Sequence, residues 1–98
     1  MVTRYQQIEN LHDLRDYVYT TLCEQNQLQV GAFEMTERPL HRAGTPCGMY
    51  FCLCGPRRMK ATAIWDSDRN QILFYDSSGE RSQKTQLIET DRLQYAAA

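Results

Sequence analysis

The chain has no apolar run longer than the six residues Met49–Cys54. A helical membrane span needs roughly 20 such residues, so no bilayer crossing is expected. It also lacks an apolar stretch at its start. Met-Val-Thr-Arg-Tyr-Gln-Gln offers no h-region of a secretory signal, and a cytoplasmic setting with reduced thiols is the expectation. Internal repeats and low-complexity tracts are absent, as is any catalytic signature or cofactor motif. Net charge is nearly absent too, at -1. What is present is an ordinary globular mixture: 98 residues, 42% hydrophobic and 23% charged, which suits one small domain over 1–98 and argues against wholesale disorder.

The near-neutral total conceals a block structure. Residues 1–37 hold two basic side chains and six acidic ones, a net of -4. Residues 38–60 hold Arg38, Arg42, Arg57, Arg58 and Lys60 and no acid, a net of +5. Residues 61–98 return a net of -2. The middle block also contains all three prolines (Pro39, Pro46, Pro56), three of the four cysteines (Cys47, Cys52, Cys54) and His41. The search for function therefore centres on this basic, loop-rich and thiol-rich segment.

Residues 10–27 predict one amphipathic helix. Asn10 suits the N-cap and Asp13 the positive helix end. Leu11, Leu14, Val18 and Leu22 fall at spacings of three and four, with Asp13, Asp16, Thr20 and Glu24 on the wet side. His12 in the first turns reads as a surface residue. Strands are expected over Val30–Thr36, Met49–Cys54, Arg58–Asp66, Gln71–Asp76 and Glu80–Leu87. In Arg58–Asp66, Met59, Ala61, Ala63 and Trp65 share one face, whereas Lys60 and Thr62 share the other. Gly55-Pro56, Ser67–Asn70 and Ser77–Gly79 supply turn chemistry. Asp66–Asn70 has part of a calcium-loop pattern, but Arg69 and the missing glycine and closing glutamate spoil it. Glu80–Leu87, rich in polar residues, reads as an edge strand.

These elements predict an α+β domain. An N-terminal amphipathic helix packs on a four- to five-stranded antiparallel meander sheet over 30–87, flat or curled, and a short tail or helix follows over 88–98. Five strands at about 4.8 Å make a sheet roughly 24 Å wide, whereas one helix is about 10–12 Å across. The far face, with Tyr50, Cys52, Ile64, Leu73 and Tyr75, is not strongly polar. The C-terminal tail, a second copy forming a homodimer, or a partner would cover it.

The connection Glu37–Cys47 is the most suggestive loop. Arg38, His41, Arg42 and Thr45 combine guanidinium, imidazole and hydroxyl donors with glycine backbone, as an anion or phosphate site requires, although the spacing is not that of a nucleotide P-loop. Arg57 and Arg58, at a hairpin tip, extend this candidate ligand-binding set. His41, Cys47, Cys52 and Cys54 have zinc-compatible donors in a His-x5-Cys-x4-Cys-x-Cys spacing that departs from the paired zinc form. Cys47 with His41 as base is a candidate nucleophile without an orienting carboxamide or carboxylate. A direct Cys52–Cys54 bridge would be strained at a separation of about 6.6 Å along a strand.

The resulting expectation is a non-catalytic binding domain that takes an acidic protein or a phosphate-bearing ligand through 38–60, with no cofactor. A thiol- or zinc-dependent protein centred on His41 and Cys47 is the rival. Nucleic-acid binding ranks below both, because recognition motifs are missing and the pI is near 6.1.

Overall fold

The computed structural model describes Val2–Ile88. The expected tail therefore lies, beyond Ile88, outside the described residues. The α+β expectation holds: one helix, α1 (Leu11–Gln25), lies against a sheet of six strands. The strands are β1 (Val2–Gln6), β2 (Met35–Arg42), β3 (Thr45–Cys54), β4 (Lys60–Asp66), β5 (Gln71–Tyr75) and β6 (Arg81–Leu87). Their order across the sheet is β1-β6-β5-β4-β3-β2. From β2 to β6 the chain is the expected antiparallel meander, but β1 closes against β6 in parallel, so the sheet is mixed.

The helix forms where its apolar spacing predicts it. The Asn10 side chain accepts from the Asp13 N–H at 2.8 Å, satisfying one orphan donor. At the other end Gln27 takes a left-handed φ of 52°, and the Leu28 N–H returns to the Cys23 carbonyl at 2.8 Å. This is a Schellman closure, and it folds Leu28 back onto the core. Leu14, Val18, Leu22 and Cys23 are buried against Phe51, Leu53, Ala61, Ala63, Trp65, Ile72 and Phe74. The face assignment in β4 is as expected, with Ala61, Ala63 and Trp65 inward. No helix among the described residues is long and apolar enough to cross a membrane.

Four local expectations are corrected. Residues 30–34 are not strand. The Tyr19 hydroxyl accepts from the Gly31 N–H and donates to the Phe33 carbonyl, which holds this segment as a loop, and β2 begins only at Met35. The connection over 37–47 is not a loop but a hairpin. Ala43 and Gly44, at φ 51° and 80°, form a tight two-residue turn between β2 and β3. Pro39 fits because β2 is an edge strand, where a missing N–H costs no ladder bond. The Arg58–Asp66 strand starts at Lys60, because Arg57 and Arg58 belong to a short turn with left-handed φ of 56° and 63°. Finally, β6 is not an edge. β1 covers it, and all five β1 residues are exposed, so they leave no buried alternation to read.

Candidate functional site

The six candidate ligand-binding residues do not converge. His41, Arg42 and Thr45 lie at the β2–β3 turn, where Arg42 pairs with Asp68 at 3.2 Å. Arg57 and Arg58 lie in the β3–β4 turn, beyond the other end of the ten-residue strand β3. At about 3.3 Å per residue, the two groups stand about 30 Å apart. Arg38 belongs to neither group. It sits mid-strand on the sheet face that faces away from α1.

The thiols are also dispersed. Cys47 lies in the β2–β3 hairpin at a register shift, and its carbonyl accepts from the Ser67 N–H and hydroxyl at 3.0 and 2.9 Å. Cys52 and Cys54 share the open face of β3, two residues apart and unbridged. Burial raises the Cys52 thiol above its ordinary pKa, and the neighbouring Cys54 adds to the shift. Both effects keep Cys52 protonated at neutral pH and oppose metal or nucleophile chemistry there. No three His, Cys, Asp or Glu side chains converge as metal ligands among the described residues.

The open face carries a different constellation. One row in register runs Arg38, Tyr50, Ile64, Leu73, Lys84 across β2 to β6. The next runs Thr36, Cys52, Thr62, Tyr75, Arg81. Beyond it, Lys60 pairs with Cys54. The middle of each row is half-buried; Arg38 and Lys84 end the first row, and Thr36 and Arg81 end the second. Arg38 lies 4.9 Å from the centroid of the Tyr50 ring, and Arg81 lies 5.7 Å from that of Tyr75. Both guanidinium groups are held over π faces while remaining charged. Arg38, Lys60, Arg81 and Lys84 form no ion pair among the described residues. The face has one carboxylate in these strands, Asp66, whose Oδ1 accepts from the Asp68 and Arg69 N–H groups in the β4–β5 turn.

No family model, curated protein or solved structure matches the chain. The chemistry of the surface must therefore carry the functional reading.

A second feature lies on the helix side. A cavity of about 670 Å³ opens between β1 and α1, lined among others by Arg4, Gln6, Tyr17, Thr21, Glu24 and Gln83. It exists because one helix of about 10–12 Å cannot span six strands. Its polar floor is internally satisfied. The Gln83 Nε2 donates to the Tyr17 hydroxyl at 3.3 Å and to Thr85 Oγ1 at 2.9 Å, while its Oε1 accepts from Gln25 at 3.1 Å. Gln25 in turn accepts from the Ser82 hydroxyl at 3.0 Å. These groups already have partners, so a ligand would have to displace internal bonds to reach them. The open face has the stronger claim, because it brings Arg38, Lys60, Arg81 and Lys84 together, whereas Arg4 is the one cation lining the cavity. Sequence reasoning missed Arg81 and Lys84 as site residues because they lie outside the basic block. The alternation in β6, taken with the register of β5, was the signal that could have found them.

Proposed function

We propose that the protein is a non-catalytic binding domain for an acidic protein or a phosphate-bearing ligand, with the open sheet face as its contact surface. The observation that supports this reading is the registered row Arg38, Tyr50, Ile64, Leu73, Lys84, in which two cations without an ion pair among the described residues flank a half-buried apolar centre. Arg38 is the one residue of the expected set that lies within it. Lys60, Arg81 and Lys84 complete the charge, and the Arg57–Arg58 turn adjoins its Lys60 end. Arginine and lysine at the rim attract and orient an anion, while the tyrosines and aliphatic residues supply area for contact.

The test is a titration of isotope-labelled protein with poly-glutamate and, separately, inorganic phosphate, followed by NMR. Amide shifts are expected at Tyr50, Ile64, Leu73 and Lys84, and they should fade as salt is raised toward about 0.5 M. Shifts confined to the Ala43–Thr45 or Arg57–Arg58 turns would overturn this placement.

A further inference from the structure

The open face has a definite cross-section. Its apolar centre spans β3, β4 and β5, which is two strand spacings or about 10 Å. That width matches one α-helix of about 10–12 Å. Arg38 on β2 bounds it on one side, and Arg81 and Lys84 on β6 bound it on the other. The flanks stand four spacings apart, about 19 Å, so a helix lying along β4 fits between them with room for side chains on either side. The opposite face already shows the same solution: α1 packs over β3 and β4.

Resting on the reading of this face as the binding surface, we propose that its occupant is an amphipathic helix of a partner protein, with an apolar stripe flanked on both sides by carboxylates. The stripe covers Tyr50, Ile64, Leu73 and Tyr75. The carboxylates meet Arg38 on one flank and Arg81 and Lys84 on the other. Along β4, about 23 Å long, the open face presents Lys60, Thr62, Ile64 and Asp66, so the apolar patch is two rows or about 7 Å deep; a helix of about 15 residues would centre its stripe on Ile64 and place its polar ends at Lys60 and Asp66.

Charge and surface chemistry disfavour a second copy and a nucleic acid as occupants. Two copies placed sheet to sheet would oppose Arg38, Lys60, Arg81 and Lys84 with the same four cations. The outward side of α1 from a second copy would offer Asp13, Asp16, Thr20 and Glu24, which are all exposed and polar, and no apolar stripe. A single-stranded nucleic acid needs a cationic track along its backbone, whereas the cations here stand on two flanks about 19 Å apart. The centre it would cross, Tyr50, Ile64, Leu73 and Tyr75, carries no cation.

The experiment compares three probes on the full chain by calorimetry and NMR. The first is a 15-residue peptide with leucines at i, i+3, i+7 and i+11 and glutamates on both sides of that stripe. The second is its scramble, with the same composition and charge. The third is an oligo-dT of similar length. The patterned peptide should bind at least about tenfold tighter than its scramble, gain helicity on binding, and shift the amides of Tyr50, Ile64 and Leu73. Arg38→Glu and Lys84→Glu should each weaken it several-fold without altering the fold. Ile64→Ser should weaken it as well, and circular dichroism of that variant controls for folding. Equal binding of peptide and scramble at this face overturns the helix proposal and leaves the binding surface standing. Tighter binding of oligo-dT, or a dimer in sedimentation that Arg38→Glu strengthens, also overturns it. If no probe perturbs the face, both readings fall.

Discussion

A Cβ placed on Gly48 would stand 2.1 Å from the Trp65 carbonyl oxygen, across the β3–β4 ladder. Backbone cannot yield as a flexible side-chain end can. Gly48→Ala should therefore cost about 2–3 kcal/mol, measured by denaturant unfolding, through displacement of β3 from β4. The opposite sign is expected at Gln27. Its left-handed φ of 52° closes the helix, where glycine suffers no Cβ penalty, so Gln27→Gly should stabilise by about 0.5–1 kcal/mol in the same assay. Asp76 acts through hydrogen bonds. Its Oδ1 accepts from the Ser78 hydroxyl at 2.6 Å and from the Ser78 and Glu80 N–H groups at 3.0 Å each, binding the β5–β6 turn. The Ser78 hydroxyl bond, aided by the backbone N–H groups, holds its pKa below the ordinary value of 3.8. A depressed carboxylate stabilises the fold above its unfolded pKa, and that contribution is lost as pH falls through the folded value. The stability gap between wild type and Asp76→Ala should thus be full at neutral pH and shrink below about 3.8; a gap that widened on acidification would contradict this bond pattern.

At the scale of elements, legibility followed burial. α1 was readable because Leu14, Val18 and Leu22 repeat at the helical period and all three are buried. β3, β4 and β5 were readable because Phe51, Ala63, Trp65 and Phe74 alternate with the open face. β1 was not, since a strand with no buried residue has no periodic signal. β2 was hidden by Pro39 and by the turn at Ala43-Gly44, which in isolation read as a loop. The polar character of β6 was real but misattributed to an edge. Thr85 is fully buried and Gln83 nearly so, and both are hydrogen-bonded to α1, Thr85 to Tyr17 and Gln83 to Tyr17 and Gln25. Tyr17→Phe separates the two readings of β6. It removes the hydroxyl that lies 2.9 Å from Thr85 Oγ1 and accepts from Gln83. An interior β6 requires a loss of about 1–2 kcal/mol in thermal or denaturant unfolding. A solvated edge would lose almost nothing.

For the whole molecule, the net charge of -1 conceals two surfaces of opposite sign. Arg38, Lys60, Arg81 and Lys84 occupy one side of the sheet, while Asp13, Asp16 and Glu24 are exposed on the helix that covers the other. The block pattern in the sequence revealed that charge is segregated, but not along which axis. Folding divides the basic block between two turns and one face, then adds cations from β6 through register alone. The two charged surfaces lie about 20 Å apart, across one helix and one sheet. That exceeds the Debye length of about 8 Å at 0.15 M salt and falls short of about 30 Å at 0.01 M. The acidic helix should therefore repel an anion from the open face only in dilute buffer. Asp16→Asn should strengthen poly-glutamate binding at 0.01 M and leave it unchanged at 0.15 M. Lys84→Glu, which acts at contact range, should weaken binding at both. Stability should change by no more than about 0.5 kcal/mol in either variant, because both side chains lie outside the core. An Asp16→Asn effect that persisted at 0.15 M would place the anion near α1 instead of on the open sheet face.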